Sequence, residues 1–206
     1  MTTKDAYLLQ ALRLFAEKGY EATGVAEIAK AVGCTTSALY KHYPGKRALF
    51  EAILEQSRTG FRENTAFFHV CADDPNDRAR ILAMTTNDHV LLIRRIFERI
   101  TDNEYPRLFR KLITVEQFKH PELSAYYDEY YVRSPLRSFT AMMRIRIDAG
   151  DLKPADPEIL AMQYIAPVIL LTGMYDRAPE QKQAFLDTLD RHVRQFNQAY
   201  GTDSVQ

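Results

Sequence analysis

Apolar residues recur at three- and four-residue intervals along most of this 206-residue chain, while the strict alternation expected of half-buried strands is scarce. Tyr7, Leu8, Ala11, Leu12 and Phe15 form one helical stripe, ending near Gly19. Phe185, Leu189, Val193, Phe196 and Tyr200 form another, ending near Gly201. Between them, "DDPND" (73–77), "KHPEL" (119–123), "ADPEI" (155–159) and "APEQ" (178–181) each place a proline where a helix can begin, because a first-turn residue needs no N–H donor. In "ADPEI", Asp156 is a candidate cap. Pro135 and Pro167 fall inside apolar patterns and predict a kink or break. The chain reads as all-α, without an internal repeat or low-complexity tract.

One stretch departs from the long-helix rhythm. "TGVAEIAKAVGCTTSALYKHY" (23–43) divides into two brief helices. Thr23 is a candidate cap for the first, Val25, Ile28 and Ala29 form its inner face, and Gly33 suits the left-handed turn that ends it. Thr35 or Thr36 can cap the second, which runs to about His42 with Ala38 and Leu39 inward. Thr35, Thr36, Ser37, Tyr40 and Lys41 then face out. Two short helices around a glycine turn match a helix-turn-helix, whose second helix enters the DNA major groove. These patterns divide the chain into an N-terminal three-helix head, residues 1–46, and a larger C-terminal helical body, residues 47–206.

Charge sharpens that reading. Lysine plus arginine balance aspartate plus glutamate at 27 each, so composition gives no nucleic-acid signal and any such surface must be local. It is local: Lys30 to Phe50 contains no acid. Small hydroxyls at a helix start can approach phosphates and base edges, and Tyr40, Lys41, His42, Tyr43 and Lys46 bring donors without a carboxylate to repel phosphate. Helical hairpins of this kind also occur in proteins that bind no DNA, so spacing alone does not decide the matter.

Further residues do. "ALRLFAEKGYEATGVAEIAKAVG" followed by "TTSALYKHYPGKRALFEAIL" resembles the DNA-binding domain of the TetR family of transcriptional regulators over residues 7–54. The shared marks are Phe15 and Gly19, Thr23 with Val25, Ile28 and Ala29, Ala38-Leu39-Tyr40 with His42 and Tyr43, and Lys46. The resemblance implies DNA contacts, mostly to the backbone, by Thr35, Thr36, Ser37, Tyr40, His42 and Lys46. Gly24 and Pro44-Gly45 depart from the family pattern, which more often has a hydroxyl and a polar cap there.

For the body, the resemblance implies a small organic effector in the middle of the chain and a homodimer through the last two helices. The candidates for effector contact are His89, Arg94, Phe97, Phe109, Phe118, Tyr126, Tyr127 and Tyr130. In "YYDEYY" a regular α-helix would stack Tyr126 over Tyr130 and Tyr127 over Tyr131, which reads first as an amphipathic stripe whose hydroxyls reach water and second as a pocket wall. Those for the dimer interface are Leu160, Tyr164, Val168, Leu171, Leu189, Val193 and Phe196, although such stripes equally bury against their own subunit. The five histidines are scattered, so no metal site is expected, and no cofactor fingerprint or catalytic constellation appears. Cys34 and Cys71 are too few for a disulfide framework, and Cys34 reads as a small packed residue before it reads as a redox sensor. Without a signal-peptide pattern, and with its most lipophilic run (159–175) too short to span a bilayer, the chain is expected to be cytoplasmic and not membrane-bound. The expected function is a ligand-responsive regulator, a repressor released from palindromic double-stranded operator DNA by a small organic effector, and no enzyme; the rival is an all-α enzyme or small-molecule carrier with an incidental helix-turn-helix.

Overall fold

The computed structural model describes residues 3–65 and 69–202. The order is α1 (Thr3–Lys18), α2 (Val25–Val32), α3 (Thr36–Tyr40), α4 (Lys46–Thr65), α5 (Pro75–Leu82), α6 (Thr86–Thr101), α7 (Glu104–Glu116) and α8 (Pro121–Tyr126). A π-helical segment (Tyr127–Arg133) leads into α9 (Ser134–Asp148). Then follow α10 (Pro157–Tyr175), a 3-10 turn (Pro179–Gln181) and α11 (Lys182–Tyr200). Among the described residues there is no strand, only an isolated bridge between Leu152 and Gly201.

Three of the four prolines expected at helix starts act as predicted, while Pro179 opens only the 3-10 turn before α11. Pro75, Pro121 and Pro157 open α5, α8 and α10. Asp74 accepts from the Asn76 N–H at 2.8 Å, and Asp156 from the Glu158 and Ile159 N–H groups at 2.9 and 3.3 Å. Such caps contribute about 1 kcal/mol each. Pro135 stands in the first turn of α9, where helix type changes. At Pro167 no break occurs: α10 continues through it. Gln163, whose carbonyl loses its helical donor to the proline, lies on the exposed side.

The chain forms two compact units. One comprises the described residues of Met1–Asn64 and Asn103–Tyr127, the other those of Thr65–Asp102 and Asp128–Gln206. In the first, the predicted α1 stripe is wholly buried, as are Ile28, Ala29, Leu39, Leu49, Phe50 and Ile53; α1 packs on α2, and the Phe15 ring meets Phe50. Helices α7 and α8 belong to this unit. Phe109, Leu112, Ile113, Leu123 and Tyr126 are buried, and the Tyr105 and Tyr126 hydroxyls donate to the carbonyls of Ile53 and Ser57 on successive turns of α4. The compact unit that contains residues 1–46 is thus larger than that segment, because α7 and α8 supply apolar surface that three short helices lack.

In the second unit, α10 packs on α9, α6 and α11, and α6 on α11, around Phe97, Phe139, Met142, Met143, Tyr164, Phe185 and Phe196. By length and composition α10 also meets the criteria for a membrane span, but Leu160, Ala161, Tyr164, Ile165, Val168 and Leu171 are buried in this core.

Candidate nucleic-acid interface

The two short helices form as their residues dictate, with three local corrections. Gly33 has φ +78°, and its N–H returns to the carbonyls of Ala29 and Lys30, ending α2. Thr35 caps α3, its Oγ1 accepting from the Ala38 N–H at 3.2 Å. Thr23, expected to cap α2, is buried and instead donates to the carbonyls of Gly19 and Leu14 at 2.9 and 3.3 Å; Gly24 occupies the cap position without a side-chain bond. Helix α3 stops at Tyr40, two residues before the expected end, and Ala38 is only half-buried, leaving Leu39 as the fully inward residue.

The outward face holds most of the predicted DNA contacts. Thr35, Ser37, Tyr40, Lys41 and His42 are exposed, Tyr40 at 49%, and Thr36 is half-buried. Nearby acid is turned elsewhere: Glu27 of α2 pairs with Lys18 of α1, holding that ammonium above its usual range. Two predicted residues have structural partners. Tyr43 is half-buried, edge-on to Tyr7 at 6.4 Å, and burial raises its hydroxyl pKa. Lys46 donates to the carbonyls of Tyr20 and Glu21 at 2.9 and 3.2 Å and lies over the Tyr20 ring at 4.4 Å. The His42 ring approaches Tyr7 at 5.4 Å. Cys34 is half-buried against the Tyr7 hydroxyl, whose pKa that contact raises.

The effector candidates do not gather in one compact unit. Phe109, Phe118, Tyr126 and Tyr127 fall in the first, His89, Arg94, Phe97 and Tyr130 in the second. Phe109 and Tyr126 are buried edge-to-face at 4.9 Å, while Phe118 is 88% exposed. Arg94 bonds Asp190 at 2.6 Å, joining α6 to α11, and Phe97 is a core residue. His89 is buried, and burial with the Arg146 charge lowers its pKa to about 4. The four-residue stacking expected in "YYDEYY" is not kept, since Tyr127–Arg133 is π-helical and bonds back five residues. Tyr126 turns into its core, and Tyr127, Tyr130 and Tyr131 are half-buried. A groove runs along α4 past Ala52, Glu55, Gln56, Thr59, Gly60 and Glu63, and none of the effector candidates lines it.

The expected dimer residues need the clearest correction. Leu160, Tyr164, Val168, Leu171, Leu189, Val193 and Phe196 are at most 6% exposed in the single subunit, so they fill its own core rather than its surface. The apolar residues that α10 does expose are Ile159, Met162, Ile169, Leu170 and Met174. Sequence reasoning missed this face because α10 is apolar all round, and periodicity cannot choose its inner side. It also missed Tyr105, Glu116 and His120, which brace the first unit from far along the chain.

Comparison with known proteins agrees with the geometry of the head. Residues 8–53 match the family described as bacterial regulatory proteins, tetR family. The HTH-type transcriptional regulator AcrR of Shigella flexneri is 43% identical over 61 residues, covering 30% of this chain and 28% of its own. The HTH-type repressor ComR of Escherichia coli is 40% identical over 53 residues, covering 26% of this chain and 25% of its own, so these matches span about a quarter of each relative. The negative regulator IcaR of the Staphylococcus aureus biofilm operon icaADBC is 25% identical over 73% of this chain and 83% of its own. Among solved structures, SmeT bound to triclosan shares the fold with a TM-score of 0.69 at 21% identity, covering 100% and 95% of the two chains. A TetR-family regulator from Mesorhizobium loti scores 0.67 at 20% identity, with 97% of each chain covered. Residues 8–53 thus match the DNA-binding segment of the tetR family of bacterial regulatory proteins, and the all-helical architecture of the whole chain is the fold shared with TetR-family regulator structures.

Proposed function

We propose that this regulator is a homodimeric repressor that reads operator DNA with α3 and is released by a small organic effector. The observation that carries the DNA reading is the exposed, Thr35-capped face of α3 inside an acid-free segment. In this reading Thr36 and Ser37 meet base edges, and Tyr40, Lys41 and His42 meet phosphates. Lys46 joins them only by exchanging the carbonyls of Tyr20 and Glu21 for a phosphate.

The dimer is a second copy of this chain seated on the outward face of α10. Ile159, Met162, Ile169, Leu170 and Met174 recur at helical spacing on that face, and an exposed apolar patch of this kind marks an interaction surface. A two-fold pair would present two α3 helices to half-sites about one DNA turn apart. Effector release draws support from two proteins of similar fold, SmeT in complex with triclosan and AibR in complex with isovaleryl coenzyme A and operator DNA. Coupling of about 1–3 kcal/mol would lower DNA affinity roughly 5- to 150-fold, and DNA would weaken effector binding by the same factor. Such a protein works in the cytoplasm.

Gel shifts with DNA from upstream of the protein's own gene test the reading. Salt-sensitive binding with a sequence preference is expected; indifference to sequence at every salt concentration would return the enzyme or carrier alternative.

A further inference from the structure

The α1–α2 turn is gripped at Tyr20 from two sides. Its ring packs against Phe15, Phe50 and His120, with centroids at 5.2, 4.8 and 5.2 Å. Lys46 of α4 donates to its carbonyl, and Oε1 of Glu116, at the end of α7, accepts its N–H at 3.3 Å. The Glu116 side chain is 3% exposed. Its Oε2 makes no hydrogen bond and lies 3.6 Å from both His120 Nε2, also unpartnered, and Lys119 Nζ. A carboxylate buried with half its capacity unused is poor evidence of stabilisation, since an apolar residue of similar volume would serve at least as well. A directional contact is what it adds.

The turn is shaped to receive it. Gly19 has φ +88°, and a Cβ there would stand 2.8 Å from Glu116 Oε1. Residues with side chains are disfavoured on both counts. The Tyr105 and Tyr126 hydroxyls tie α7 and α8 to α4 rather than to this turn, and the ion pairs Arg13 to Glu104 and Arg47 to Glu122 lie toward the surface, where such pairs fix position weakly. From Tyr20 the chain runs directly into α2, on which α3 packs.

We propose that Glu116 is a positioning residue for DNA reading: by holding α7 on the α1–α2 turn, it sets the direction in which α3 is presented. This rests on the repressor reading above. The test uses an operator that the wild-type protein selects from random DNA, then copies of it with the half-site spacing changed by one and two base pairs. Glu116→Leu fills the volume without an acceptor; Glu116→Gln keeps one for the Tyr20 N–H. Relative to wild type, E116L should bind the selected operator roughly ten-fold more weakly, the size of losing one buried hydrogen bond, and should discriminate less among spacings. E116Q should restore both. A merely destabilised protein would lose affinity for every spacing alike and overturn the proposal, as would a folded E116L with wild-type affinity and spacing preference. Should E116L not fold, amide exchange in the wild type decides. A Tyr20 N–H protected like the interior of α1 is expected, and one exchanging like an exposed turn would refute the contact. A wild type that selects no sequence at all would instead remove the repressor reading, and this inference with it.

Discussion

Helices α3 and α10 stand at opposite extremes. Helix α3 has five residues and one fully buried side chain, Leu39; it is held by its Thr35 cap, the Gly33 turn before it and the α2 surface beneath it. No isolated helix that short is stable in water. Helix α10 has 19 residues and is apolar around its whole circumference, with Tyr164 at its buried centre and Leu170, 65% exposed, on the far side. The scaffold makes α3, so its polar face is free for a ligand. Helix α10 helps make the core, and its second apolar face is left over, which is the face the proposed second copy would cover.

The largest effect that would sharpen this contrast lies on α10's inner side. Tyr164→Ala should cost about 3–5 kcal/mol of unfolding free energy in denaturant titration, as for other large buried aromatics. A change under 1 kcal/mol would mean the core is not organised around this ring. The buried His89, in edge contact with Tyr164 at 6.5 Å, adds a pH dependence to the same core. Its folded pKa of about 4 lies below the unfolded 6.5, so between these values the unfolded chain binds more protons. Its contribution is therefore complete above about pH 6.5 and lost as pH falls toward 4, by roughly 3 kcal/mol in all. His89→Gln should flatten that part of the stability–pH curve; an unchanged slope would show that other groups cause it.

The outer face of α10 gives the next effect. Leu170→Asp should leave the monomer's stability within about 0.5 kcal/mol, as is usual for a surface change, while abolishing dimers at micromolar concentration in sedimentation velocity. Val193→Asp, by contrast, buries an unpaired charge and should unfold the subunit rather than separate two intact ones. A folded, dimeric L170D would break the assignment of this face. On α3 the expected effects are smaller. Thr35→Ala removes the cap and should cost about 1 kcal/mol, measured as a lower denaturant midpoint for the first unit. Lys41→Ala should leave stability alone and reduce the salt dependence of operator binding by about one unit of slope. An unaltered slope would place Lys41 away from phosphate.

Much of this was legible in the order of residues, because local rules act locally. The α1 stripe, the starts at Pro75, Pro121 and Pro157, the cap at Asp156 and the left-handed Gly33 each follow from chemistry within one or two turns. The α2–α3 hairpin and its polar outer face belong to the same class. The tertiary structure alone decided which side of α10 faces the core, because a helix apolar all round carries no periodic mark of its inner side. It alone turned Thr23 from the expected cap into a brace of the α1–α2 turn, and tied Lys46 to Tyr20 and Glu21. It also brought Glu116 and His120 to Tyr20 across about a hundred residues of chain. Such contacts depend on long-range packing, and a buried carboxylate on α7 leaves no trace in the spacing of the residues it holds.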